Sequence, residues 1–390
     1  MVKYTNKVRR AQLGTSVGCN DLSATYSVDA ANNAAVNNTS GHGKMAELAL
    51  TLADKFRGRH AENVGVANEK DGADRLVDGT MLQTKFYSSG KGCVDACFAD
   101  KSSGGMYRYI NSDGTPMPVE VPKDMYGDAV SRFAQKISDG KVPGVTEPAD
   151  ADKYVKQSIL TYDNAKNLCL PLTKESLIYD AATGIVHCFF AFVISTAAAF
   201  IFALQRKKPK GKAVLNAFKS GAKVFGLTYP CHILMSQLAR TEFFISLRSL
   251  IGLESAAESG GRLLSLPAEV NNGLKIAVGG TAVSVKAAAK QFSKILCAGF
   301  IMNSVALIFF VLPDFVGMLR GKMSAREFGL RALDLLIARL FSTLALTSAA
   351  VITAMFSIPP VLNIPICLAA ACLGGVHGRR LIHRRRKRMI

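Results

Sequence analysis

From Ala181 to Gln205 the chain carries no Asp, Glu, Lys or Arg, and this run constrains everything around it. Within it, Ile185, Val186, Phe189, Phe190, Phe192, Val193, Ile194, Phe200, Ile201 and Phe202 crowd into residues 184–204. About 20 such residues match a hydrocarbon core of ~30 Å, so the run reads as a membrane-crossing helix. Ile295 to Pro313 is a second candidate of the same kind. Leu340 to Gly378, uncharged apart from His377, is broken by Pro359-Pro360 and Pro365 and suits a helical hairpin inserted from one side. Residues 224–239 are uncharged but short, and read equally as a span or as a buried helix. Residues 240–294, rich in Ala, Gly, Ser and Leu, read as amphipathic helices.

Charge divides the chain at the same place. Residues 1–180 hold 22 Lys/Arg against 22 Asp/Glu, whereas residues 181–390 hold 26 against seven, so the whole net charge of +19 lies in the second part. Basic stretches follow the apolar ones at 206–223 and 320–339, and the tail ends in Arg384-Arg385-Arg386-Lys387-Arg388. Such clusters beside apolar segments bind anionic headgroups at about 1 kcal/mol per charge. The positive-inside rule places all three in the cytoplasm. A spanning 185–204 would then leave residues 1–180 outside. Nine cysteines in no framework point to a reducing compartment, and the basic start is followed by no apolar export signal. Both favour a cytoplasmic N-terminal domain, so the topology carries a conflict.

The first part alternates between helical and strand periods. Residues 1–40, rich in Asn, Ser, Ala and Thr, read as a flexible lead-in. His42 to His60 has Met45, Leu48, Ala49, Leu52, Ala53 and Phe56 at helical spacing, with Glu47 on that helix. Residues 74–87 alternate and turn at Asp78-Gly79, a hairpin dipeptide. A short helix at Cys93–Phe98 and a hairpin joining 107–110 to 117–121 through Asp113-Gly114 follow. Three helices come next, at 124–137, 149–158 and 161–170. The expected architecture is an α/β (α+β) domain over 41–180, an all-α transmembrane helical region over 181–378, and a basic tail over 379–390.

One segment carries possible chemistry. Asp74 stands at the mouth of an apolar run, and Gln83-Thr84-Lys85 closes it. In a strand, residues 83 and 85 share a face. With the preceding helix bearing Glu47, this pattern resembles the PD-(D/E)xK nuclease superfamily, in the Mrr-like branch that has Gln in place of the usual Glu. The resemblance covers roughly residues 41–125. It implies that Asp74 and Gln83 hold Mg²⁺, that Lys85 positions the attacking water and offsets charge on the phosphate, and that Glu47 supports the site as a further carboxylate. Gln83 leaves such a centre one negative charge short. Asp78 competes with Asp74, although its turn gives it a structural task. Glu120 and Lys123 either line the same cleft or mark a strand end before the helix-capping Asp124.

A wider stretch is similar to an uncharacterised group of bacterial membrane-associated proteins. The carrying residues are 72–77, 83–85, 117–124 (Met-Pro-Val-Glu-Val-Pro-Lys-Asp), 140–145 and 175–177. Cys93 and Cys97 make only half of a zinc set. No phosphate loop, zincin or nucleophile-elbow motif occurs. The expectation is a Mg²⁺-dependent nuclease-like protein at a bacterial inner membrane, with anionic lipid, DNA and further copies of itself as partners. The alternative is a membrane-active effector with a non-catalytic binding domain. A third is a membrane scaffold carrying a degenerate nuclease fold.

Overall fold

In the computed structural model, Asp78 and Gly79 both adopt left-handed backbone, with φ of 48° and 83°. Two such residues in succession match the right-handed twist of the flanking strands, which is why Asp-Gly closes a tight hairpin. The structure describes residues 41–64, 71–98, 105–205, 207, 209–242, 311–312 and 314–355, with single positions at 307, 370, 373, 374 and 377. The described residues form two compact units divided between Tyr179 and Asp180. The lead-in, nearly all of residues 240–313, the Pro359-Pro360 break and the basic tail with Arg384 to Arg388 lie outside the described residues.

The first unit opens with α1 (Gly41–Phe56), whose Met45, Ala46 and Leu50 are buried at helical spacing. It ends four residues earlier than its periodicity suggests, because Gly58 turns the chain with φ 78°. A strand missed by the periodicity, β1 (Ala61–Asn63), follows directly. It pairs antiparallel with β2 (Arg75–Val77), which pairs antiparallel with β3 (Thr80–Thr84). Ser89 then caps α2 (Gly90–Asp95) by accepting from the Gly92 amide at 3.0 Å.

The expected hairpin around Asp113-Gly114 forms at its tip, where Ile110 bridges Pro116 antiparallel and the Met117 amide donates to the Tyr109 carbonyl at 2.9 Å. Val119–Val121 does not continue its return arm. It forms β4, parallel to β3 in the register Gln83↔Val119 and Thr84↔Glu120. All three of its residues are buried, as befits a strand covered on both faces. A 3-10 turn at Lys123–Met125 leads into α3 (Tyr126–Ser138), which Asp139 and Gly140 (φ 66°) terminate. Residues 149–158 divide into a single turn α4 (Ala151–Tyr154) and β5 (Val155–Gln157), parallel to β4. The β-branched Val155 enters the core there, so tertiary burial overrides the helical reading. The sheet runs β1-β2-β3-β4-β5. A capping box of Thr161 and Asn164 starts α5 (Tyr162–Cys169).

Alternation assigns the two faces of the sheet. Val119 and Val121 enter the main core with Cys93, Val94, Phe133 and Ile137. On the opposite face α1 and α5 meet through Ala46, Leu50, Ala165 and Phe86.

In the second unit, α6 (Lys174–Gln205) and α7 (Lys210–Ala239) pack through small residues. A Cβ placed on Gly221 would lie 2.0 Å from Thr196 Oγ1, and one on Gly184 would lie 2.8 Å from His232 Cδ2. Ala213, Ala217, Gly221 and Val224 are buried along α7, while Phe189 and Phe218 are 55% and 57% exposed. Arg240 clasps Asp180 with two hydrogen bonds of 2.6 and 2.7 Å, and Gln237 Nε2 donates to the same carboxylate at 2.7 Å. Further on, α8 (Ala325–Met355) begins with Arg326, Glu327 and Arg331.

The expected all-α transmembrane region is corrected here. Among the described residues, no helix is long and apolar enough to cross a membrane. Freedom from charge overstates how apolar these segments are. In α6, Asp180, Thr183, Ser195 and Thr196 interrupt the apolar residues, and four lysines occupy the first half of α7.

Candidate active site

The β2–β3 hairpin and β4 bring the chemistry-bearing residues to one face. Arg75 opposes Leu82 in the ladder, so Asp74, one residue before it, lies opposite Gln83. The Asp74 amide donates to the Leu82 carbonyl at 2.9 Å. Along the other edge, the amides of Gln83 and Lys85 donate to the carbonyls of Pro118 and Glu120 at 3.0 and 2.9 Å. Residues 83 and 85 are thus both held along the β4 edge, and their side chains emerge together.

Lys85 is the hub. Its Nζ donates to Gln83 Oε1 at 2.6 Å and to Asp74 Oδ2 at 3.2 Å. Asp74 Oδ2 also accepts the Thr84 amide at 2.9 Å, and Gln83 Nε2 donates to the Gly72 carbonyl. The amide of Gln83 is therefore oriented with its oxygen toward Lys85. Burial, the largest single influence, pulls the Lys85 ammonium toward lower pKa. The acidic groups around it, Asp74 foremost through its charge and its hydrogen bond, together outweigh that pull and the net shift is upward. Tyr109, whose ring centroid lies 5.0 Å from Nζ, and Cys97 stand nearby. Both are themselves raised by burial, the thiol to about 12, so they are neutral at neutral pH and Asp74 is the operative partner.

Glu47 arrives from α1. Its Oε2 accepts from Lys44 Nζ at 2.7 Å and from Asn63 Nδ2 at 3.4 Å. Burial raises its carboxyl pKa first, and the charge of Asp74 raises it further, against a lowering by Lys44. A carboxyl whose pKa is raised by a neighbouring carboxylate marks a place where a cation is favoured. The donors, Asp74, Glu47 and the Gln83 oxygen, are hard oxygens, which fits Mg²⁺, an ion that keeps several waters and needs few protein ligands. Among the described residues no group of three or more His, Cys, Asp or Glu could hold a metal. Protein ligands at this place are therefore few.

The other named positions go elsewhere. Asp78 is exposed in its turn, bound to Arg59 Nε at 2.7 Å and to the His60 amide at 2.9 Å. That Arg59 hydrogen bond, and then the His60 amide, hold its carboxyl below the ordinary value. Glu120 does not line the cleft. It lies on the opposite face of β4, bonded to Arg75. Lys123 sits in the 3-10 turn, where its amide donates to Leu160 O at 2.8 Å and its side chain is exposed. Cys93 and Cys97 are buried, Cys97 Sγ donating to the Cys93 carbonyl at 3.4 Å. They are core thiols.

Sequence reasoning missed four neighbours. Lys44 and Asn63 hold Glu47, and Tyr109 walls Lys85. Arg108 stacks over the Tyr109 ring at 5.3 Å and pairs with Asp71 at 3.7 Å. Lys44, three residues before Glu47 on one helix face, was the legible signal. Asn63 and Tyr109 reach the site only through the folded chain.

The cluster falls inside the stretch that known proteins share. Residues 24–138 match the YeeR C-terminal domain family. The inner membrane protein YeeR of Escherichia coli (strain K12) is 43% identical over 102 residues, which are 26% of this chain and 19% of that protein. The chain thus matches about a fifth of its relative's length, and neither match carries a nuclease description. No solved structure matches. Glu47, Asp74, Gln83 and Lys85 all lie in a segment similar to the YeeR C-terminal domain.

Proposed function

We propose that residues 41–180 form a Mg²⁺-dependent centre that cleaves phosphodiester bonds, and that the chain is membrane-associated. The observation that supports the first half is the Lys85 ammonium clasped by Asp74 Oδ2 and Gln83 Oε1, with the Glu47 carboxylate in electrostatic reach of Asp74. Asp74, Gln83 and Glu47 are the groups that would hold the metal. When bound, Mg²⁺ supplies Lewis-acid polarisation of a phosphoryl oxygen and acidifies its water.

The chain's own residues do the rest. Because the acidic groups around it, Asp74 foremost, together raise the Lys85 pKa against its burial, Lys85 keeps its proton at neutral pH. It therefore acts as a hydrogen-bond donor and fixed positive charge, suited to orienting a water and to countering charge that builds on the phosphate. It is not a general base. Asp74 keeps Nζ in place, and the Gly72 carbonyl keeps the Gln83 oxygen pointed at it.

Two features support membrane association. The relative that is 43% identical over 102 residues is an inner membrane protein. The α6–α7 pair also places small side chains inside and Phe189, Ile201 and Phe218 outside, the reverse of a water-soluble hairpin. The same outward apolar surface favours the second reading, a membrane-active protein whose N-terminal unit binds without catalysing.

The test is cleavage of plasmid and linear DNA by the purified full chain, with Mg²⁺ or with chelator. Wild type is expected to cut only with Mg²⁺, and Lys85→Ala and Asp74→Ala to fall by on the order of 10²-fold. Equal rates in wild type and both variants would sink the catalytic reading.

A further inference from the structure

The face of the sheet turned away from Asp74 and Lys85 carries a cavity of about 330 Å³. It is lined by Arg75, Val77 and Leu82, positions that alternate with those of the catalytic candidates on the same two strands. Its volume is at the lower end of small-molecule sites, which run from about 300 to 1,000 Å³. Leu50 and Val77 are buried and give it an apolar wall.

Its charges are uneven. Three carboxylates line it, Asp54, Asp78 and Glu120, and each already receives an arginine: Asp54 and Asp78 from Arg59 at 3.1 and 2.7 Å, and Asp54 and Glu120 from Arg75. Arg75 itself is 0% exposed, and its Nε donates to Thr51 Oγ1 at 3.1 Å. At the exposed rim stand two further cations, Arg57 and Lys156. Neither makes an ion pair among the described residues. The acids are engaged and the surplus is positive. A concave wall of low dielectric focuses that potential on whatever enters.

We propose that this cavity binds a small organic phosphate. Its phosphate is held by Arg57 and Lys156, and its apolar body lies against Leu50, Val77 and Leu82. This is a binding site independent of the cleavage chemistry, on the other side of the hairpin from it.

The experiment is calorimetric titration of the full-length protein in detergent with adenosine 5′-monophosphate, with inorganic phosphate and adenosine as separate arms. The monophosphate is expected to bind more tightly than either fragment, and to weaken as salt rises. The double variant Arg57→Glu/Lys156→Glu, with its circular dichroism unchanged, should bind at least about tenfold more weakly. Asp74→Ala should bind as wild type does. The proposal is overturned if the monophosphate does not bind, if adenosine binds as tightly, or if the double variant retains full affinity. It is equally overturned if Asp74→Ala abolishes binding, since the nucleotide would then sit in the opposite cleft.

Discussion

Glu47 and Arg75 solve the same problem, a charge taken out of water, in opposite ways. Arg75 is surrounded by two carboxylates and a hydroxyl, so its burial is offset by hydrogen bonds to a charged group. Glu47 has Lys44 and Asn63 but also faces Asp74, and its carboxyl titrates above the ordinary value of 4.5. The sign of the linkage follows. An acid that holds its proton more tightly folded than unfolded adds stability at low pH. It loses that stability as pH rises from the unfolded value through the raised one. Glu47→Gln should therefore flatten this fall and raise the thermal midpoint at neutral pH without metal. Added Mg²⁺ should stabilise wild type more than the variant. Thermal unfolding between pH 4 and 8, with and without Mg²⁺, measures both.

At the scale of elements, the site depends on how closely helices and strands approach. Tyr109, which faces Lys85, shares the main core with Val94 of α2 and Phe133 of α3, and its neighbour Tyr107 meets the Phe133 ring edge-on at 5.5 Å. The α2–α3 pair is tight at Gly90, where a Cβ would lie 2.4 Å from the Ala129 nitrogen and 2.6 Å from the Met125 carbonyl oxygen. Both are backbone atoms and cannot rotate aside. Gly90→Ala should destabilise the chain by about 1–3 kcal/mol through overpacking, read as a lower urea midpoint. Gly92→Ala, where the nearest atom is the Ser89 hydroxyl at 3.0 Å, should be milder.

For the whole molecule, charge and apolar surface lie in the same stretch. Lys207, Lys210, Lys212, Lys219 and Lys223 accompany the exposed Val214, Leu215 and Phe218. Between Ala181 and Thr241 there is no acid to oppose them. The full chain should sediment with phosphatidylglycerol vesicles more than with neutral ones, and less as salt rises. Replacing those five lysines by Gln should weaken the preference by about 1 kcal/mol per charge near the surface. Equal binding to both vesicle types would refute an electrostatic contribution.

The residues themselves determined what depends on near neighbours. Asp78-Gly79 specified its hairpin, because few dipeptides accept two left-handed residues. Strand alternation put Gln83 beside Lys85. The two-part charge division is a property of composition alone. Tertiary structure decided what depends on distant partners. Val119–Val121 reads locally as half of a hairpin, but pairing parallel to β3 turned Glu120 away from Lys85 and onto Arg75. Residues 155–157 became a strand because a core position awaited Val155. The charge-free run from Ala181 to Gln205 reads as membrane-crossing by its lack of charge. The folded helices instead show polar groups set along α6 and small residues along its seam with α7. Local propensity is set within a few residues, whereas the face a side chain occupies is set by the strand or helix that meets it.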